Sequence, residues 1–263
     1  LHVNDFHGFA EPYKPVGSDE ILGGIAYLAS KARELRNEKP SLLLAAGDMM
    51  QGNNWANFFQ GGSVMELLNE MSFDAMVLGN HEFDFGQAVL KKRISEAKFP
   101  VLGANVEGFD RLTLYVIREL KGIKIGIIGV VTEDVPATTD PRNVAGLHFS
   151  PPLYVIEEYI KELRDKADIV IVLSHIGHPL DRMMAEKIEG IDVIVGGHSH
   201  TKVTKPVKVR DTIIVQAWEH SKALGVLDLT LRDGKIVSFD GHLEEIKPQT
   251  GKEDPQVLAI VEK

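Results

Sequence analysis

Short runs rich in Val, Ile and Leu alternate with stretches whose apolar residues recur at helical spacing. That alternation predicts an α/β protein with a buried sheet. The last third turns to strands alone, with Asp233-Gly234 as a hairpin turn, which predicts antiparallel strands near the end. The chain has 263 residues, 44% of them hydrophobic and 25% charged, enough to build a full core.

Leu1–Asn4 reads as a strand. Ile25, Leu28, Ala29, Ala32 and Leu35 then share one face of a helix ending near Asn37. Leu42–Ala46 is a short buried strand. Val64–Met71 is a helix with Ser63 as its expected cap. Ala75–Leu78 is a strand, Gln87–Ala97 a helix and Val101–Ala104 a strand. Leu112–Leu120 and Ile123–Val130 pair as a hairpin around Lys121-Gly122. Helices at Leu153–Lys166 and Leu180–Glu189 flank strands at Ile169–Leu173 and Val193–Val195. Ile213–Gln216, Leu224–Leu231 and Ile236–His242 complete the strands. Residues 1–242 read as one domain without repeats. Lys247–Lys263 reads as a polar turn and a helix start, with Asp254 as N-cap and Pro255 at the first helical position. The chain opens directly on an apolar stretch, so any signal peptide is expected to lie outside it.

Several function classes are excluded at once. Net charge is −9 with no basic tract, which argues against a nucleic-acid duplex as partner. An acidic chain still binds phosphate when metal ions supply the positive charge. There is no cysteine, so disulfides, thiolate zinc sites, iron–sulfur clusters and cysteine nucleophiles are all out. No apolar run approaches the roughly 20 residues of a spanning helix. There is no G-x-x-x-x-G-K-[ST] phosphate loop, no H-E-x-x-H, and Gly197–Thr201 lacks the last glycine of a nucleophile elbow.

The residues at the carboxyl ends of the strands carry the chemistry. Leu1–Asn4 runs into Asp5-Phe6-His7-Gly8, Leu42–Ala46 into Gly47-Asp48, and Ala75–Leu78 into Gly79-Asn80-His81-Glu82. Ile169–Leu173 runs into Ser174-His175, and Val193–Val195 into Gly196-Gly197-His198-Ser199-His200. Ligand sites in open α/β sheets form beyond the carboxyl ends of strands, so these five loops are expected to meet. Asp5 and His7 are two apart, as are His198 and His200, and on extended backbone such pairs point to one side. Carboxylate, imidazole and amide oxygen without sulfur suit Mn²⁺, Fe²⁺, Co²⁺, Ni²⁺ or Zn²⁺. Asp5, His7, Asp48, Asn80, His175, His198 and His200 exceed what one tetrahedral ion uses, which suggests two ions sharing one carboxylate. Two ions about 3.5–4 Å apart clamp phosphoryl oxygens and generate hydroxide near neutral pH. The glycines at 47, 79, 196 and 197 let backbone come close to a ligand.

The ordered blocks D-x-H, G-D, G-N-H-[DE], a lone His and G-H-x-H resemble the calcineurin-like metallophosphoesterases over essentially the whole chain. Asn4–Gly8, Gly47–Gly52 and Gly79–Gly86 look more narrowly like the 5′-nucleotidase / UDP-sugar hydrolase / 2′,3′-cyclic phosphodiesterase group. The resemblance implies a β-sandwich of two mixed sheets flanked by helices. It implies that Asp5, His7 and His200 bind one divalent ion (Mn²⁺, Zn²⁺, Co²⁺ or Fe²⁺), Asn80, His175 and His198 a second, and that Asp48 bridges them. By the same resemblance His81, beside Asn80, contacts the substrate phosphate, and Asp84 holds His81 protonated and correctly turned. Many members of the narrower group end the last block in Asn or Gln, where this chain has His200.

The implied reaction is in-line attack on a phosphate ester, most simply a 5′-nucleotide, by hydroxide held at the metals. Cyclic phosphodiesters, UDP-sugars and sulfur esters are alternatives within the superfamily, and a non-catalytic binding module is the alternative outside it. The group's nucleotidases carry a C-terminal domain for the nucleoside. By that resemblance, residues 243–263 are expected to lead out of the catalytic domain toward such a domain. The resemblance implies a periplasmic or extracellular setting and leaves a cytoplasmic one open. Glu82 reads as a first-turn helix acid. Gln51, Asn53 and Asn54 read equally as turn formers or as residues that orient ligands. Trp55, Phe58 and Phe59 read as packing residues more than as a base platform. His2, His148, His178, His220 and His242 match no motif and read as surface or structural.

Overall fold

A computed structural model describes residues 1–263. Its strands fall into two six-stranded mixed sheets and two short ribbons. The first sheet contains β1 (His2–Val3), β2 (Leu44–Ala45), β3 (Ala75–Val77) and β4 (Val101–Leu102), all parallel. The second is built on β5 (Tyr115–Leu120), β6 (Ile123–Val131), β7 (Ile169–His175), β8 (Val193–Gly196), β9 (Val207–Val209) and β10 (Thr212–Val215). Its spatial order is β9-β10-β8-β7-β6-β5, parallel through β10, β8, β7 and β6, with antiparallel strands at both edges. The chain then returns to the first sheet, where β11 (Ala223–Arg232) lies antiparallel to β1 and pairs with β12 (Lys235–Glu245).

Three apolar clusters show how the layers stack. One lies between the sheets, where Leu44, Val77, Leu102, Ile127, Ile171 and Val195 interlock. Contact there is close enough that a Cβ on Gly129 would stand 2.4 Å from the Cβ of Leu102. The largest cluster joins the outer face of the first sheet to α1 (Ile25–Glu38), α2 (Asn54–Phe58), α3 (Gly62–Glu70) and α4 (Gln87–Glu96). Beyond the short α5 (Val135–Thr138), the third cluster joins the outer face of the second sheet to α6 (Pro152–Lys166) and α7 (His178–Lys187). The result is the expected sandwich of two mixed sheets flanked by helices. It explains why β7 is buried along its whole length: both of its faces are covered, so an unbroken apolar run suits it better than alternation.

Local departures have physical causes. Ser63 does not cap α3, which starts at Gly62 behind a left-handed Gly61; the Ser63 hydroxyl instead donates to the Trp55 carbonyl. Asn53 is a turn former, capping α2 through Trp55 N–H. That five-residue helix, the short α5 and the two-residue ribbons at Pro12–Tyr13/Leu22–Gly23 and Val106–Glu107/His148–Phe149 are too short to show periodicity. The strand expected to end at His242 runs to Glu245. The final helix α8 (Pro255–Val261), capped by Asp254 as expected, packs on α1 and α3. Arg33 reaches Asp254 at 2.8 Å, and the Trp55 indole donates to the Val261 carbonyl. No helix is long and apolar enough to cross a membrane.

Candidate metal centre

The parallel strands of both sheets deliver their carboxyl ends to one edge of the sandwich, and the five polar loops meet there. Asp5 and His7 follow β1, Asp48 follows β2, and Asn80 and His81 follow β3. His175 ends β7, and His198 and His200 follow β8. Asp5, His7 and Asp48 bring one ligand atom each within 4.8 Å of one another, and so do Asp48, His175 and His198. Asp48 is common to both groups. His200 joins the first, its Nε2 lying 3.3 Å from Asp5 Oδ1 and 3.2 Å from His7 Nε2.

The paired residues converge by a different route from the expected one. Asp5, His7, Asp48, His198 and His200 all adopt left-handed backbone, with φ between 50° and 73°, so neither D-x-H nor H-x-H is extended. Such a conformation costs a non-glycine residue about 1–3 kcal/mol. Five cases at one locus mean that the surrounding structure holds the loops against local preference. Glycines allow the close approach. A Cβ on Gly79 would meet Asp48 Oδ1 at 2.2 Å, and one on Gly197 would meet the Ala46 carbonyl at 2.2 Å.

Each loop is pinned from behind. Asn4 donates to Asp5 Oδ2 and takes the Ala217 N–H, while the His198 N–H donates to the Asp5 carboxylate. The His81 N–H donates to Asp48 Oδ1 at 2.9 Å. Glu82, which the sequence suggests as a helix-dipole acid, is buried at 1% exposure. Its carboxylate accepts the N–H groups of Asp48, Met49, Met50 and Gly79, tying the β2 loop to the β3 loop. Burial and the Asp48 charge raise its pKa.

The histidine partners decide which nitrogens are available. His7 Nδ1 lies 2.8 Å from the Gln51 carbonyl, and His175 Nδ1 lies 2.7 Å from the Ala46 carbonyl. A carbonyl oxygen only accepts, so both Nδ1 atoms carry the proton. His200 Nδ1 contacts the Glu219 carboxylate and is protonated for the same reason. Three Nε2 atoms are therefore turned toward Asp5 and Asp48. His175 Nε2, 3.0 Å from Asp48 Oδ2 but without hydrogen-bond alignment, and Asn80 Oδ1 are buried atoms with no hydrogen-bond partner. Burial alone would lower the His175 and His200 pKa values, but neighbouring carboxylates override it and push both up to about 10. Burial would likewise raise Asp48, but His175, His7 and His81 hold it well below the carboxylate range. Converging imidazole nitrogens, two carboxylates and an orphaned amide oxygen fit a pair of divalent cations, which would take the place of the Nε2 protons.

His81 and Asp84 stand beside this cluster. His81 Nδ1 is 2.6 Å from Asp84 Oδ2, and that hydrogen bond raises the His81 pKa against the effect of burial. Asp84 Oδ1 accepts the Thr139 hydroxyl, and Asn143 donates to the Asp84 carbonyl. The His81 ring lies edge-on to His7 with centroids 5.4 Å apart.

Two site residues are not evident from the motifs. Glu219 belongs to none of them, and His220 reads as structural or surface. Yet Glu219 orients His200, and His220 groups with His7 and His200. A signal for them does exist: Ile213–Gln216 is a sixth strand whose end runs into polar residues. Gln51 orients His7 through its backbone carbonyl, which no side-chain pattern reveals. His148 and His242 are exposed and His2 is buried, as surface and structural readings require. Phe58 is 83% exposed and is not a packing residue, whereas Trp55 packs against the main core.

The chain is similar to known proteins along its whole length. A family profile described as calcineurin-like phosphoesterase matches residues 1–202. Human 5′-nucleotidase is 30% identical over all of this chain and 51% of its own length. The snake venom 5′-nucleotidase of Crotalus adamanteus is 34% identical over 92% of this chain and 47% of its own length. The chain thus spans about half the length of the curated relatives it matches. Among solved structures, a 5′-nucleotidase precursor from Thermus thermophilus superposes with a TM-score of 0.87 at 30% identity, covering 99% of this chain and 56% of that one. The Thermus sulfate thiohydrolase SoxB reaches 0.90 at 22% identity, over 100% of this chain and 59% of that one, a likeness of fold.

Proposed function

The chain belongs to the calcineurin-like phosphoesterase family, and we propose that it hydrolyses phosphate esters, 5′-nucleotides foremost, with two divalent metal ions. The observation that carries this reading is the outer pinning of His7, His175 and His200, which turns three Nε2 atoms toward Asp5 and Asp48, where a cation would displace their protons. Asp5, His7 and His200 would hold one ion, Asn80, His175 and His198 the other, with Asp48 shared. Mn²⁺, Zn²⁺, Co²⁺ and Fe²⁺ all suit this donor set. The ions would supply positive charge for the phosphoryl oxygens and lower the pKa of a water molecule toward about 7.

The remaining work belongs to His81 and Asp84. With Nδ1–H committed to Asp84, the outer edge of His81 offers Nε2–H to a phosphoryl oxygen. Asp84 favours the imidazolium, so this donor is charged when the phosphoryl group gains negative charge in the transition state. Thr139 and Asn143 restrain Asp84, so the donor needs little reorganisation. Nucleotides lead the substrate class because the more similar relatives are named 5′-nucleotidases. On this reading residues 1–242 form the catalytic domain, and residues 243–263, which finish β12 and pack α8 on α1 and α3, lead from it toward a substrate domain.

The test is hydrolysis of AMP and p-nitrophenyl phosphate by metal-stripped protein before and after Mn²⁺ is restored. Metal-dependent turnover of both supports the proposal in full. Turnover of p-nitrophenyl phosphate alone places nucleoside recognition outside this domain. No turnover of either by protein carrying two ions overturns the phosphatase reading and favours a diester, a sulfur ester or a binding role.

A further inference from the structure

The Trp218–Lys222 segment lies between β10 and β11 and reaches the edge where the five motif loops meet. Trp218, His220 and Ser221 are left-handed, with φ of 68°, 54° and 53°. The His220 N–H donates to the Asp5 carbonyl at 2.8 Å, fixing this segment to the first ligand loop. Glu219 holds His200 by Nδ1 and is itself held by Lys222 at 2.5 Å. The His220 ring stacks on Phe9, with centroids 3.9 Å apart and planes 18° apart. Its Nδ1 lies 2.9 Å from the Tyr13 hydroxyl, which leaves Nε2 as the nitrogen for a ligand.

A ring nitrogen of His220 lies within 4.8 Å of ring nitrogens of both His7 and His200. The three rings surround one point, with centroids 5.6 Å from His220 to His7 and 5.7 Å from His220 to His200. Stacking on Phe9 would be satisfied by any flat ring. A partner on Nδ1, however, is what fixes the orientation of a metal-binding imidazole. We propose that His220 is a further imidazole ligand of the ion held by Asp5, His7 and His200. Three imidazoles beside Asp5 and the shared Asp48 bias that position toward Zn²⁺, Co²⁺ or Fe²⁺ over Mn²⁺. The inference rests on the dinuclear reading above and extends it by one residue and by a metal preference.

The experiment is calorimetric titration of the metal-stripped full chain with Zn²⁺ and Mn²⁺, together with the visible spectrum of the Co²⁺ form. His220→Asn keeps a residue that tolerates left-handed backbone, and His220→Phe keeps the stack on Phe9. Circular dichroism establishes that the variants are folded. The expected result is two Zn²⁺ per parent chain and at least about a tenfold weaker affinity at one of them in each variant. The Mn²⁺ affinity changes less, and the Co²⁺ bands change in position and intensity. A folded variant with the parent's Zn²⁺ affinities and an unchanged Co²⁺ spectrum overturns the role of His220 while leaving the dinuclear centre standing. A parent chain that binds no Zn²⁺ or Co²⁺ overturns both.

Discussion

Glu82→Gln is expected to weaken the fold and the candidate metal centre together. The carboxylate makes four hydrogen bonds: Oε1 to Met49 N–H (2.7 Å) and Met50 N–H (3.0 Å), Oε2 to Asp48 N–H (2.8 Å) and Gly79 N–H (2.6 Å). An amide keeps one oxygen and turns an NH₂ group toward the other two donors. Two hydrogen bonds to a charged acceptor are lost, at about 1.5–3 kcal/mol each, so the variant should lose roughly 3–6 kcal/mol. Glu82→Ala orphans all four donors at about 1–3 kcal/mol each, which approaches the whole stability of a domain. Urea denaturation of the metal-free protein gives the first figure directly. Because Glu82 fixes the Asp48 backbone, the Gln variant should also bind metal more weakly. A Gln variant within about 1 kcal/mol of the parent, with unchanged metal affinity, would refute the claim that this carboxylate joins the two loops.

Other expectations follow from the same geometry. His81→Ala should keep both metals and slow turnover by about 10²–10⁴-fold, and an unimpaired variant would remove His81 from the reaction. Asp84→Asn replaces the charged acceptor that raises the His81 pKa with a neutral one, so the alkaline fall in kcat/KM should move to lower pH. Asp48→Ala should abolish binding of both ions in a metal titration, since Asp48 belongs to both ligand groups. Buried Asp181, held by the Ser174 hydroxyl, has its pKa pushed up by burial to about 7. Its folded state therefore keeps a proton that the unfolded chain releases above about pH 4, so stability falls as pH rises from about 4 to 7. Asp181→Asn should remove that slope and add up to about 4 kcal/mol at pH 8, read as a higher urea midpoint; parallel pH curves would contradict this.

The sequence is most informative where a single force dominates. Strands buried on both faces must be apolar, so β7 and β8 stand out, and their parallel order places the polar loops at one edge. That edge is legible because Asp, Asn and His are costly after buried strands unless they bind something. The left-handed backbone at Asp5, His7, His198 and His200 is not legible, because tertiary contacts impose it against local preference. The role of Glu82 is hidden because a glutamate after a strand looks like a helix-dipole residue, and only the folded loops show four N–H groups converging on it. Glu219 and His220 belong to no recognised block. The rule that finds the other strand ends reaches them only when it is extended to the sixth strand, Ile213–Gln216.

In the proposed centre Asp48 stands between two metal positions. Native mass spectrometry of metal-stripped chain titrated with Zn²⁺ tests it most directly, with Asp48→Ala alongside. The expected result is two ions per chain, both lost in the variant. One ion per chain, or a variant that still binds two, would contradict it.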